Sequence, residues 1–227
     1  MKLEARMDAS FSPNEVDDFM RGLHAQTGRV RMGSAKALLQ LSESHPEALY
    51  AHFDEFATFL AGDNQILRWN ATRILANLAS VDDEGKVERI LPVILSLMHE
   101  SQLITAANVI GAAPAIAKAK PHLADRIGLH IRCAGKMRFP TAECTNVILG
   151  HTIRALDEMY PLLKRKRPVV EFVRAQLDNP RGAVRKSAEL FLQHHAAVRP
   201  SGQAVRLPKR RACSVVHKKS ARRAALA

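Results

Sequence analysis

Apolar residues recur along most of the chain at the spacing of one helix face. Val16, Phe19, Met20 and Leu23 make the first such stripe, and Ser12-Pro13-Asn14-Glu15 ahead of it supplies a capping hydroxyl, a proline at the first helical position and a glutamate three residues on. Gly28 ends that helix, and a second from Val30 carries Ala35, Leu38, Leu39 and Leu41. Ser44-His45-Pro46-Glu47 closes it and opens a third, with Leu49, Phe53, Phe56, Phe59 and Leu60. Gly62-Asp63-Asn64 is a turn whose Asp63 or Asn64 can cap a fourth helix over 67–79. Asp82-Asp83-Glu84 puts negative charge at the start of a fifth, with Ile90, Leu91, Ile94, Leu95 and Leu97. An alanine-rich sixth follows over 104–119. Pro121, Pro140, Pro168 and Pro180 open the seventh to tenth, whose stripes run through Ile127 and Ile131, Leu149 to Tyr160, Val169 to Leu177, and Val184 to Leu192. No segment alternates with period two, so ten helices joined by short turns leave no place for a sheet.

Taken in pairs, these helices repeat. Arg31 and Arg68 stand 37 residues apart, each three before a small residue and six and seven before an apolar pair, and Arg185 repeats the arrangement with Ala188, Phe191 and Leu192. Asn70, Asn108 and Asn146 follow one another at intervals of 38. A lone helix pair cannot bury its own apolar face, so stacked neighbours build one continuous core.

The pairs Val30-Arg31, Leu67-Arg68 and Val184-Arg185, each followed by a small residue and then leucine or phenylalanine, resemble second-helix openings of the HEAT/armadillo-like family. Ile104-Thr105 and Cys144-Thr145 stand where the third and fourth repeats of that family would place the arginine. The resemblance covers residues 14–197 and implies an all-α fold: a right-handed α-solenoid of about five stacked HEAT-like helix pairs. It also implies a concave surface lined by the second helix of each pair, the usual binding face of such proteins.

The 227 residues carry a formal charge of +12. Nine of the 34 basic residues fall between Arg199 and Ala227, where there is no Asp or Glu, so residues 1–198 carry a net charge of only +3. The chain therefore reads as an N-terminal arm over 1–13, the repeat body over 14–197 and a flexible basic tail over 198–227. No apolar run reaches the length of a membrane span, the start lacks the apolar stretch of a signal peptide, and three scattered cysteines make no disulfide framework, so a cytoplasmic location is expected.

Candidate chemistry is sparse. Trp69, the only tryptophan, and Arg73 point away from the stripe of Ala71, Ile74, Leu75 and Leu78. They read either as a contact patch for a partner or as packing on the next repeat. Asn70, Asn108 and Asn146 read as inter-repeat hydrogen bonds or as partner contacts, although Asn146 flanks its stripe on the opposite side from Asn70. Lys164, Arg165, Lys166 and Arg167 read as charge at a helix end or as an anion contact acting with Lys209, Arg210, Arg211, Lys218 and Lys219 of the tail. Cys144 and His151 share a helix face but lie two turns apart, too far for a thiol–imidazole dyad. His194 and His195 are adjacent, so regular helix would turn them to different faces. Gly33, Gly111 and Gly150, isolated in helical patterns, read as close-packing positions. No metal, nucleotide or cofactor motif occurs.

The expected function is a non-enzymatic module that holds a protein partner on the concave face. The alternative is nucleic-acid binding: the HEAT-like group includes bacterial alkylpurine DNA glycosylases, which grip duplex DNA on a basic concave face with several aromatics and a catalytic aspartate. Here that face offers a single tryptophan with Arg73 one turn on, and the body is close to neutral.

Overall fold

The computed structural model describes residues 13–100 and 102–195. The tail, with Lys209, Arg210, Arg211, Lys218 and Lys219, lies outside the described residues, as does the arm up to Ser12. Pro13 opens the first helix, as its place after Ser12 predicts, so the helical body begins one residue before the boundary drawn at 14.

Ten α-helices and no strand occur among the described residues: α1 (Pro13–Leu23), α2 (Gly28–Ser44), α3 (Phe53–Phe59), α4 (Gln65–Leu78), α5 (Lys86–Ser96), α6 (Leu103–Ala119), α7 (Ala124–Ile131), α8 (Ala142–Met159), α9 (Arg167–Arg174) and α10 (Gly182–His194). Even-numbered helices are long and odd-numbered ones short. For α3 and α7 the cause is local: the proline-led openings at Pro46 and Pro121 begin as 3-10 turns over Pro46–His52 and Pro121–Leu123, and α-helix follows only from Phe53 and Ala124. Side chains capture orphan N–H groups at the starts of α4, α8 and α5. Asn64 Oδ1 accepts from Ile66 N and Leu67 N, Thr141 Oγ1 from Cys144 N, and the Asp82 carboxylate from Lys86 N and Val87 N.

The even helices pack in chain order, α2 on α4, α4 on α6, α6 on α8 and α8 on α10, and form a continuous second-helix row. Each odd helix packs on the even helix that follows it, and the odd helices with their flanking turns form a first-helix row alongside. Between the rows runs one apolar core containing Leu38, Phe53, Phe56, Leu75, Leu91, Ile110, Ile127, Ile153 and Phe191, all at most 1% exposed. Burying each leucine or phenylalanine of this kind contributes about 1.5–3 kcal/mol.

Alanine supplies the close contacts. Ala106, Ala112, Ala113 and Ala117 of α6 are buried against its neighbours on both sides. Of the glycines expected to serve this purpose, only Gly150 does: a Cβ there would touch Val184 at 3.5 Å, whereas at Gly33 and Gly111 it would meet open space. The tight glycine is Gly22, where a Cβ would fall 2.0 Å from Ser34 Oγ.

Polar side chains tie successive pairs across 30 to 40 residues of sequence. Asn77 Nδ2 donates to Ser42 Oγ, Tyr50 Oη to Asp82 Oδ1, Lys86 Nζ to Asp54 Oδ2, and Lys120 to the Asp82 carbonyl. Asp125 Oδ1 accepts from both Lys164 N and Arg165 N. The repeated arginine has one structural task throughout. Arg31 Nη1 donates to Ala25 O, Arg68 Nε to Leu60 O, and Arg185 Nη1 to Asn179 O, each sealing the turn that precedes its own helix.

Candidate functional site

The second-helix row presents its most unusual surface at the starts of α2, α4 and α6. Val30, Met32, Ile66 and Ile104 are large apolar side chains that leave the buried stripe and stand 37–55% exposed. Ile66 and Trp69 lie three residues apart on the first turn of α4, and therefore on one helix face. Trp69 is half-buried, and its Nε1 donates to Thr105 Oγ1 at 2.9 Å, which joins the start of α4 to the start of α6. The tryptophan is thus tied to the next even helix beside exposed Ile104, and shares its own helix face with exposed Ile66.

Asn70 and Asn108 occupy matching places on these two helices. Each donates its Nδ2 back along its own helix, Asn70 to Ile66 O at 2.8 Å and Asn108 to Ile104 O at 2.9 Å. That back-bond orients the amide and leaves its oxygen as an acceptor. Asn146 does something else: its Oδ1 accepts from Asn179 Nδ2 at 3.1 Å, an inter-repeat bond far along the row. The opposite phase visible in the sequence is the reason, since Asn146 turns toward the following pair and the other two do not. Arg73 is exposed one turn beyond Trp69 and pairs with Glu43 of α2 at 3.1 Å. Trp69, Asn70 and Asn108 are therefore brought to adjoining helix starts, Arg73 stands at their margin, and Asn146 stands apart. Sequence reasoning missed Val30, Met32, Ile66 and Ile104. Their signal was available as apolar residues lying off the core stripe of their own helices.

The basic run lies between the 3-10 turn Tyr160–Leu162 and the start of α9. Lys164 and Arg165 are exposed and anchored through their backbone N–H groups to Asp125. Lys166 Nζ lies over the Tyr160 ring at 5.1 Å, and Arg167 Nε pairs with Glu171 at 2.9 Å. Beside the run is a recess of about 310 Å³ between α7 and α9, lined by Gly128, Leu129, Arg132, Arg165, Pro168 and Val169 among others. Arg132 Nη1 donates to Pro168 O across it. Burial lowers the pKa of Arg132, and it also lowers that of His130, where the charges of His99 and Arg126 add to the effect.

Two further clusters are held by bonds within and between helices. Cys144 accepts from Thr141 Oγ1 at 3.2 Å and His151 Nδ1 lies 3.2 Å from Arg154, so cysteine and imidazole keep separate partners. His194 and His195 depart from the expected divergence. α10 ends at His194, His195 leaves helical phase at φ −114°, and both rings reach Asp157, at 3.2 and 2.7 Å. His195 also stacks on Tyr160 with centroids 4.0 Å apart. Among the described residues, no three or more His, Cys, Asp or Glu side chains are grouped to hold a metal ion, and no helix is long and apolar enough to cross a membrane.

No family model matches the chain, and no curated protein matches it. Among solved structures, an engineered protein determined by crystallography is similar over 81% of this chain and 97% of its own, with 16% identity and a TM-score of 0.37. A likeness at that level carries no argument about function.

Proposed function

We propose that the chain is a non-enzymatic interaction module, a short HEAT-like right-handed solenoid whose second-helix row holds an extended peptide segment of a protein partner. The observation that carries the reading is the surface at the starts of α4 and α6. Exposed Ile66 shares a helix face with Trp69, exposed Ile104 adjoins the Thr105 that Trp69 bonds, and the Nδ2 back-bonds of Asn70 and Asn108 leave their amide oxygens as acceptors at equivalent positions. Such oxygens accept backbone N–H groups, and the apolar side chains between them receive alternate side chains of an extended strand. The row is also close to neutral: its five segments, 24–45, 60–81, 98–119, 140–159 and 175–195, together hold ten basic and eight acidic residues. Apolar fit and amide bonding, not bulk charge, select the partner here.

The regular passage from α2 to α10 through neighbouring even helices supports the solenoid reading, as do the polar ties between positions 30 to 40 residues apart. Selection of peptides from a displayed library on the full chain tests the proposal. Peptides with spaced apolar residues should emerge, bind in a way that alters Trp69 fluorescence, and lose at least tenfold affinity for I66D/I104D. Selected peptides that bind this variant as they bind the parent would sink the proposal, and so would a library that yields none.

A further inference from the structure

The net charge of +3 on residues 1–198 conceals a separation along the molecule. Residues 13–100 hold eight basic and thirteen acidic side chains, a net −5, while residues 102–195 hold fifteen and seven, a net +8. Sorted by row, the asymmetry belongs to the first helices. The segments 13–23, 46–59 and 82–97 carry three basic and ten acidic residues, a net −7. The segments 120–139 and 160–174 carry ten basic and two acidic residues, a net +8.

The two basic segments touch. Asp125 of α7 binds the backbone of Lys164 and Arg165, and Arg132 reaches Pro168. Local acids do not neutralise them, because the Asp125 carboxylate caps those backbone N–H groups and Glu171 is taken by Arg167. Arg126, Lys136, Arg138, Lys164, Arg165 and Arg174 are all exposed and, among the described residues, none has a carboxylate within ion-pair distance. The basic tail follows α10, which packs on α9 at this same end of the rows.

From this arrangement we infer a second interaction surface, distinct from the peptide row: the first-helix side of the last two pairs binds the phosphate backbone of duplex nucleic acid without reading its sequence. Duplex phosphates present a charge about every 1.7 Å of helix axis, and clustered exposed cations answer them by releasing condensed counterions. A rod crossing the basic end meets only positive segments. A flat anionic bilayer laid along the same row would also face the −7 of its other end, and this favours the rod.

Fluorescence anisotropy of the full chain with a labelled random-sequence duplex, at roughly 50 to 200 mM salt, tests the inference. The parent should bind with steep salt dependence. R126E/K136E/R138E should lose at least tenfold affinity, and its log–log salt slope should be shallower by about three. R29E/K36E, which alters exposed cations on the second-helix row, should bind within about twofold of the parent. If circular dichroism shows the triple reversal unfolded, R126Q/K136Q/R138Q takes its place with the same direction and the same change of slope. Parental affinity in the triple variant, meaning that the tail binds alone, would overturn the inference. So would no duplex binding at the lowest salt, and so would binding to phosphatidylserine vesicles without binding to duplex. Peptide binding at Ile66 and Ile104 is scored separately, so either surface can fail without the other.

Discussion

Arg68 Nη2 lies 2.6 Å from Glu100 Oε1, and the two side chains, 7% and 21% exposed, link the first turn of α4 to the turn before α6. The same guanidinium donates to Leu60 O, so one side chain closes its own repeat and grips the next. Replacing Arg68 by Met should cost about 3 kcal/mol in urea unfolding. Arg185→Met removes the equivalent bond to Asn179 at an exposed site and should cost about 1 kcal/mol or less. Equal losses would show that the arginine acts locally and not as an inter-repeat tie.

The bond from Trp69 to Thr105 makes a second test of coupling between pairs. Thr105→Val and Trp69→Phe should each destabilise the chain by about 1 kcal/mol, and the double variant should cost less than the two together. Thermal denaturation followed by circular dichroism measures this without relying on tryptophan emission. Full additivity would mean that the hydrogen bond contributes nothing.

Gly22 allows α1 to lie against Ser34 of α2. Gly22→Ala should destabilise by about 1–3 kcal/mol, because the new methyl would overlap both Ser34 Oγ and Ser34 Cβ. Ser34→Ala should relieve the larger part of the strain by removing Oγ, and Ser34→Gly should remove the remaining Cβ overlap as well. An unaffected Gly22→Ala melting temperature would show that the α1–α2 contact is loose.

Alkaline pH should unfold the protein through its two tyrosines. Burial raises the pKa of Tyr160, and burial followed by the bond to Asp82 raises that of Tyr50. Their folded values lie above the unfolded value of about 10, so their contribution is complete below that pH and is lost as pH rises through the folded values. The Tyr160 hydroxyl is buried with no hydrogen-bond partner among the described residues. Tyr160→Phe should therefore be neutral or stabilising by up to about 1 kcal/mol at pH 7 and should soften the alkaline loss. Tyr50→Phe gives up a 2.7 Å bond and should destabilise at neutral pH. Stability measured from pH 7 to 11 distinguishes the two.

Asp82 sets the acid limit. Burial pushes its carboxyl upward, but the bonds from Tyr50, Val87 N and Lys86 N outweigh that and hold it below the ordinary carboxylate range. Its contribution is present above the unfolded value of about 3.9 and is lost as pH falls through the folded value. Asp82→Asn should lower stability at pH 7 and flatten the acid side of the profile, both visible in urea midpoints.

The all-helical architecture, the ten helices and a cap at Asp63 or Asn64 were legible in the chain because helical spacing and capping are local, and the structure decides for Asn64. The arginine at 31, 68 and 185 was visible as a repeat for the same reason. Its bond to the preceding turn was not, because that bond depends on how two helices meet. Gly33 and Gly111 against Gly22 make the same point: three glycines look alike in sequence, and only packing decides which one lies against a neighbour. His195 could not be read because leaving helical phase at one residue brings its ring to the same carboxylate as its neighbour's. The charge separation was present in the residue order all along, but it became a surface only when alternate helices were sorted into two rows, since a sequence sums charges that a fold keeps apart.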